Sequence, residues 1–218
     1  FENEATIFEI TKSDLTTGVE LDGATLTVLD KDGNEIDKWT SVKGEPHIIK
    51  RLHVGETYIL REEFAPYGYL KAEEGEFTIT DTAEIQKVEM KDDVPIGRII
   101  INKKGEFLSE VSWNDMVAGA MDSIWGYVTG SLKDVTFEIY AREDIKAADG
   151  ESDDYYKKDE LVATIKTDEL GIARTDDLPL GKYYVVEKET ADGFVLDGEP
   201  RDIDLTYRDQ DTPVVTFD

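Results

Sequence analysis

The chain has 218 residues, with 24 Lys and Arg against 50 Asp and Glu, a formal net charge of -26, 39% hydrophobic residues and no cysteine. That charge repels nucleic acid and anionic membrane surfaces, and the lack of thiols excludes disulfides, thiolate catalysis and Cys-type zinc sites. No run has the apolar length that crosses a bilayer and no N-terminal stretch has the pattern of a signal peptide, so any export signal is expected outside this segment.

Residues 5–92 hold short alternating or β-branched runs separated by turn signals: ATIFEITK, ATLTVLD, NEIDKWT, HIIK, TYILRE, EFTIT and EIQKVEMKD. This spacing predicts a β-sandwich or barrel. DKDGNE at 30–35 superficially resembles a calcium loop, but its glycine comes fourth and not sixth, so a hairpin turn is expected there. DDVPIG at 92–97 is a polar break and the predicted boundary between domains at 1–93 and 94–218. A second series follows: RIIINK, DVTFEIYA, LVATIKT, GIARTDDL, KYYVVEKE, RDIDLTY and TPVVTFD. The fold class expected is therefore all-β, with two sequential sandwiches of similar plan. Over 112–128 the period changes: Trp113, Met116, Val117, Ala120, Ile124 and Tyr127 follow helical spacing, and Ser112 can act as N-cap with Asp115 three residues on. An amphipathic helix inserted at about 112–129 is predicted. It either covers the sandwich or presents Trp113 and Trp125 as part of an adhesive surface. A second insertion, 142–160 with DGESDDYY, is expected to be an exposed acidic loop.

Around YILREEFAPYGY at 58–69 the pattern becomes chemical. Tyr58, Leu60 and Glu62 share one face of a strand that ends in a proline-glycine corner. The same arrangement returns at 183–194, where Glu187 matches Glu62 and Gly193 matches Gly68, both 125 residues on. Two more stripes begin apolar and end ionisable: Phe8, Ile10, Lys12 on the opening strand, and Val88, Met90, Asp92 on the closing one. Bare charges pointed into one core are costly, and burial favours the neutral amine and the neutral carboxyl. A neutral amine beside a neutral carboxyl is poised for nucleophilic attack, with a glutamate to shuttle protons, and the product is an intramolecular amide. The alternative is a buried Lys–Glu–Asp ion cluster with no bond.

ITKSDLTTG at 10–18, YILREEFAPYGY and KVEMKDD resemble the Cna-B/SpaA-type repeat domains of Gram-positive surface proteins and pili. INKKGE, VTFEIYA, LPLGKYYVVEKETADGF and TPVVTFD resemble another version of that family. The resemblance implies two tandem prealbumin-like, Ig-like Greek-key sandwiches and a self-formed isopeptide bond. Carried over by position, Lys12 is the nucleophile, Glu62 the proton shuttle and Asp92 the acceptor; Asp93 has the parity that points out of the core. In the second domain Lys103 and Glu187 match, Lys104 should face solvent, and Ala191 stands where the first domain has Pro66. No acceptor follows TPVVTFD as far as Asp218. Phe1-Glu2-Asn3 resembles the end of a closing strand, and Asn3 placed after Asp218 would keep the parity of Val215 and Phe217. The expectation is a parent protein that repeats this pair head to tail, with the second bond absent from this segment. LPLGK at 178–182 lacks the threonine of a sortase signal and is read as the turn into the strand before the corner.

The function expected is structural: stalk or shaft modules of a cell-wall-anchored adhesin or pilin, extracellular, whose partners are neighbouring repeats of the same protein. The alternative is an adhesin module that binds a host protein or glycan through the aromatic insertion, with Tyr155 and Tyr156 exposed. No cofactor, metal, nucleic-acid partner or membrane insertion is expected. His47 and His53 lack metal-ligand spacing with carboxylates, and there is no nucleophile elbow or phosphate-binding glycine loop, so turnover of an external substrate is not expected.

Overall fold

A computed structural model describes residues 4–109 and 126–218, and these residues form an all-β structure. They gather in two compact units. The first takes residues up to 96 together with 146–155 and 206–215, and the second takes the described residues of 97–145 with 156–205 and 216–218.

The first unit is built from β1 (Ile7–Asp14), β2 (Thr25–Leu29), β3 (Glu35–Thr40), β4 (His47–Lys50), β5 (Thr57–Phe64), β6 (Gly75–Thr78) and β7 (Gln86–Asp92). One sheet runs β4-β1-β7 and the other β3-β2-β5-β6. All pairings are antiparallel except β1 with β7, which is parallel and in register from Phe8 opposite Gln86 to Asp14 opposite Asp92. Side chains alternate across each strand, so β1 buries Phe8, Ile10 and Lys12, and β5 buries Tyr58, Leu60 and Glu62. Phe8, Ile10, Leu26, Val28, Tyr58, Leu60 and Met90 belong to one core shared by both sheets. DKDGNE forms the hairpin between β2 and β3: the Asp30 carboxylate accepts N–H bonds from Asp32 and Asn34, and Gly33 turns with a φ of 83°.

After β5 the chain corners at Pro66, where the Tyr69 N–H donates to the Pro66 carbonyl. Tyr69 is buried and its hydroxyl donates to Asp14 Oδ2 at 2.8 Å. The Leu70 N–H then reaches the Asp93 carbonyl, just past the end of β7.

The remaining strands are β8 (Ile96–Asn102), β9 (Lys104–Ser109), β10 (Gly126–Ser131), β11 (Thr136–Ala141), β12 (Leu161–Lys166), β13 (Ile172–Arg174), β14 (Leu178–Pro179), β15 (Gly181–Glu189), β16 (Arg201–Leu205) and β17 (Val214–Phe217). They form a sheet β12-β11-β15-β16, a sheet β13-β8-β14 in which β17 also pairs with β8, and a ribbon of β9 with β10. LPLGK supplies β14 and the first residues of β15, the turn into the strand before the corner.

Two expectations change. The helix over about 112–129 falls mostly outside the described residues, Trp113 and Trp125 included. From Gly126 onward that stretch is strand β10, with Tyr127 opposite Leu108 and Val128 opposite Phe107, because Tyr, Val and Thr suit a paired extended chain better than the last turn of a helix. In the 142–160 insertion Tyr155 is exposed but Tyr156 is half-buried, since it forms a β-bridge with Ile145, which is buried.

Gly171 and Gly193 both have positive φ but differ in surroundings. A Cβ at Gly171 would come within 2.5 Å of the Lys103 carbonyl oxygen, whereas one at Gly193 meets nothing within 4 Å. Gly193→Ala should therefore cost about 1 kcal/mol for the left-handed backbone, and Gly171→Ala about 2–4 kcal/mol because backbone must also shift. Urea midpoints of the two variants measure the difference.

Candidate functional site: a dry lysine between two carboxylates

Lys12, Glu62 and Asp92 meet inside the first unit, from three strands and both sheets. Parallel register sets Lys12 opposite Met90, so its long side chain reaches forward to Asp92, one inward position further along. Glu62 comes from the other sheet. Thr25 pairs with Phe64 but Leu26 pairs with Glu62, so the strand bulges just after the glutamate and swings the next residues away.

The Lys12 side chain is 1% exposed and those of Glu62 and Asp92 are 0% exposed. Lys12 Nζ donates to Asp92 Oδ1 and lies 3.1 Å from Glu62 Oε1. Glu62 Oε2 accepts the Ala72 N–H at 2.7 Å, so the chain beyond the corner returns to hold the carboxylate in place. Among the described residues, Glu62 Oε1 and Asp92 Oδ2 have no hydrogen-bond partner. Burial pushes the Asp92 carboxyl up to about 7; the Lys12 ammonium opposes this and the nearby Glu62 adds to it. Such a carboxyl is protonated for much of the time near neutral pH, which suits it to lose its oxygen as water. Asp93 is exposed, as its parity requires.

The second unit repeats two parts of the set. Lys103 follows β8, and its Nζ donates to Glu187 Oε2 at 2.6 Å. Glu187 also sits at a bulge: Thr136 pairs with Glu189 and Phe137 with Glu187. Its side chain is 3% exposed and its Oε1 has no partner among the described residues. The Lys103 side chain, however, is 25% exposed. Beside the pair lies a cleft of about 450 Å³, lined in part by Ile100, Ile101, Val185, Ile203 and Phe217. Lys104 faces solvent.

The family model of the SpaA prealbumin-like fold domain matches residues 6–94 and again 127–218. The chain belongs to that family. Among solved structures, the Bacillus anthracis TIE protein is 26% identical with a TM-score of 0.56, over 99% of this chain and 33% of that one. This chain thus spans about a third of the TIE protein's length. A Streptococcal ancillary pilin is 15% identical with a TM-score of 0.38, over 99% of this chain and 62% of that one. BcpA, the major pilin subunit of Bacillus cereus, is 14% identical with a TM-score of 0.39, over 98% of both chains. No curated protein matches the chain.

Several parts of the first SpaA domain's site lay beyond sequence reasoning. The Ala72 N–H belongs to a loop with no pattern of its own, and the two bulges leave no mark in side-chain alternation. The Tyr69–Asp14 bond had one available signal, the tyrosine at a position where the second SpaA domain has Phe194.

Removing the cation should expose the cost of these carboxyls. In Lys12→Met the folded pKa of Asp92 stays above its unfolded value, so the folded state holds its proton more tightly and stability falls as pH rises. The variant should lose stability as pH rises above about 4 and go on losing it past 7, because the ammonium that lowers the Asp92 pKa is gone, read as a declining urea midpoint. Tyr69→Phe leaves Asp14 Oδ2 without its buried donor and should cost about 1–3 kcal/mol in the same assay.

Proposed function

We propose that the chain is a pair of stalk or shaft modules, 1–93 and 94–218, from a surface adhesin or pilin of a Gram-positive bacterium, and that the first is braced by an amide between Lys12 and Asp92. The observation that carries this reading is the triad itself: a lysine held against two carboxyl groups where water does not reach. As the free amine, Lys12 Nζ attacks Asp92 Cγ and a C–N bond forms. Glu62 takes a proton from the amine and returns one to the departing Asp92 oxygen, which leaves as water. Burial disfavours the charged form of the Asp92 carboxyl and pushes its pKa up. A neutral amide removes that cost.

Such a bond joins the first strand of the module to its last. By the loop-closure arithmetic used for disulfides, closing a ring of about 80 residues contributes about 4 kcal/mol. Its mechanical effect is larger, because β1 and β7 lie parallel and side by side: tension that enters one strand passes to the other through a covalent link instead of through hydrogen bonds. Membership of the SpaA family supports a structural role at the cell surface, with neighbouring repeats of the parent protein as partners, and the chemistry is a single event per molecule. The cell wall as the place of anchoring is part of this proposal. A second reading, a module that also binds a host protein or glycan, draws on the exposed Leu108, Tyr127 and Val128 of the β9–β10 ribbon that flanks residues 110–125.

Intact-mass measurement decides the first reading. The folded chain should weigh one water less than its sequence, and tryptic digestion should yield a branched peptide through Lys12 and Asp92. Glu62→Ala should fold with its full sequence mass and reduced stability. A full-mass wild type would leave only an ion cluster, and a Glu62→Ala chain that still loses water would remove the glutamate from the mechanism.

A further inference from the structure

We propose that Gln210 and Tyr207 are positioning residues for the Lys12–Asp92 amide, and that this cross-link closes at full rate only after segment 206–210 has folded against the corner at 63–71. The inference rests on the reading of the first unit as amide-forming. Residues 206–213 connect β16 to β17, far from Asp92 in sequence, yet they belong to the same compact unit as the triad. They carry a turn of their own: Asp209 Oδ1 accepts the Asp211 N–H at 3.0 Å and the Thr212 hydroxyl at 2.7 Å. Beside that turn, Gln210 bonds both sides of the corner. Its Oε1 accepts the Ala65 N–H at 2.9 Å, ahead of Pro66, and its carbonyl accepts the Lys71 N–H at 2.9 Å, beyond Gly68. The Tyr207 hydroxyl donates to the Tyr69 carbonyl at 3.0 Å, and its ring meets that of Tyr67 edge to face. Both Gln210 and Tyr207 are half-buried.

The other side of the same stretch touches every strand that supplies the triad. Tyr69 donates its hydroxyl to Asp14, two residues after Lys12 on β1. The Leu70 N–H reaches the Asp93 carbonyl, one residue after Asp92, and the Ala72 N–H reaches Glu62. Successive N–H groups thus go opposite ways: those of Leu70 and Ala72 toward the strands of the triad, that of Lys71 toward Gln210. Residues 69–72 act as a spacer among three strands, and Tyr207 and Gln210 hold the spacer from outside.

In the covalent step Lys12 Nζ bonds Asp92 Cγ, and the Asp92 oxygen leaves as water while Glu62 relays the protons. A spacer without its outer bonds would let the Ala72 N–H draw away from Glu62 Oε2, and the glutamate would lose the donor that fixes it. A displacement of about 1 Å at a reacting group is enough to slow a reaction about 100-fold. The product is unchanged; what the segment sets is the moment of closure. A chain still unfolded beyond residue 205 would join Lys12 to Asp92 slowly, which leaves time to correct a wrong strand pairing before the bond makes it permanent.

The test follows the full chain after a short pulse of cell-free synthesis. Aliquots quenched in acid urea are read by intact mass for the loss of one water, and protease resistance of parallel aliquots reports folding. Gln210→Ala and Tyr207→Phe should fold as fast as the wild type but each lose water about five-fold more slowly, the scale of one hydrogen bond. The double variant should be slower still, and the Ala72 amide should exchange its hydrogen faster in it. Gln210→Glu keeps the oxygen that faces the Ala65 N–H and should recover most of the rate. Gly33→Ala strains the β2–β3 hairpin, at the end of β2 that pairs with Ile59 and not with Phe64, and should lose water at the wild-type rate. A double variant that keeps pace with the wild type, a Gln210→Glu chain as slow as Gln210→Ala, or equal slowing in Gly33→Ala overturns the proposal. Wild-type water loss with variants keeping pace fails this proposal alone, whereas a wild type that never loses water fails the reading of the first unit.

Discussion

Two carboxyl groups share one lysine in a place sealed from water, and the architecture of the first SpaA domain is arranged to keep them there. In water each of these charges would be cheap; in the sandwich core each is costly unless paired, and one ammonium cannot neutralise two carboxylates. The parallel register of β1 and β7 fixes how far Lys12 must reach, the bulge after Glu62 ends the strand's inward run at the right residue, and the corner brings back the Ala72 N–H to hold the glutamate. Among the described residues, Glu62 Oε1 and Asp92 Oδ2 are nonetheless left without hydrogen bonds. A core that was only structural would do better with leucines. Keeping an ion set in this condition makes physical sense if the set is a reactant.

Much of this was legible from side-chain parity. A period of two places every second residue of a strand on one face, so Lys12, Glu62 and Asp92 could be assigned inward and Asp93 and Lys104 outward before any fold was known, and the structure puts them there. Parity does not encode what crosses from one element to another. The bulges, the Ala72 donor and the cleft next to Lys103 arise from how strands and loops meet. The stretch from 126 departs from its helical pattern for a different reason: Tyr127 fits a helical spacing counted from Trp113, but a partner strand at 104–109, absent from the predicted runs, pairs with it. A short apolar run takes its secondary structure from its neighbour as much as from its own period.

Comparing the two SpaA domains shows how one plan tolerates different locks. In the first, Asp14 two residues after the lysine accepts the hydroxyl of Tyr69 beyond the corner. The matching residues in the second are Gly105 and Phe194, and a Cβ at Gly105 would overlap the Phe194 ring. A buried polar bond has been replaced by an aromatic ring seated on bare backbone. The first ties the corner to the end of β1 by hydrogen-bond direction, and the second ties it to β9 by shape.

The pairing of the outermost strands has a topological meaning as well. With Lys12 and Asp92 linked, everything between them becomes a closed ring. The exposed connections, such as the glycine turns at 33 and 55, then lie within the ring. A protease that cuts one of them opens the circle but releases nothing, because both sides remain attached through the cross-link and the sheets still hold their partners. A module of this form stays in one piece after a single nick.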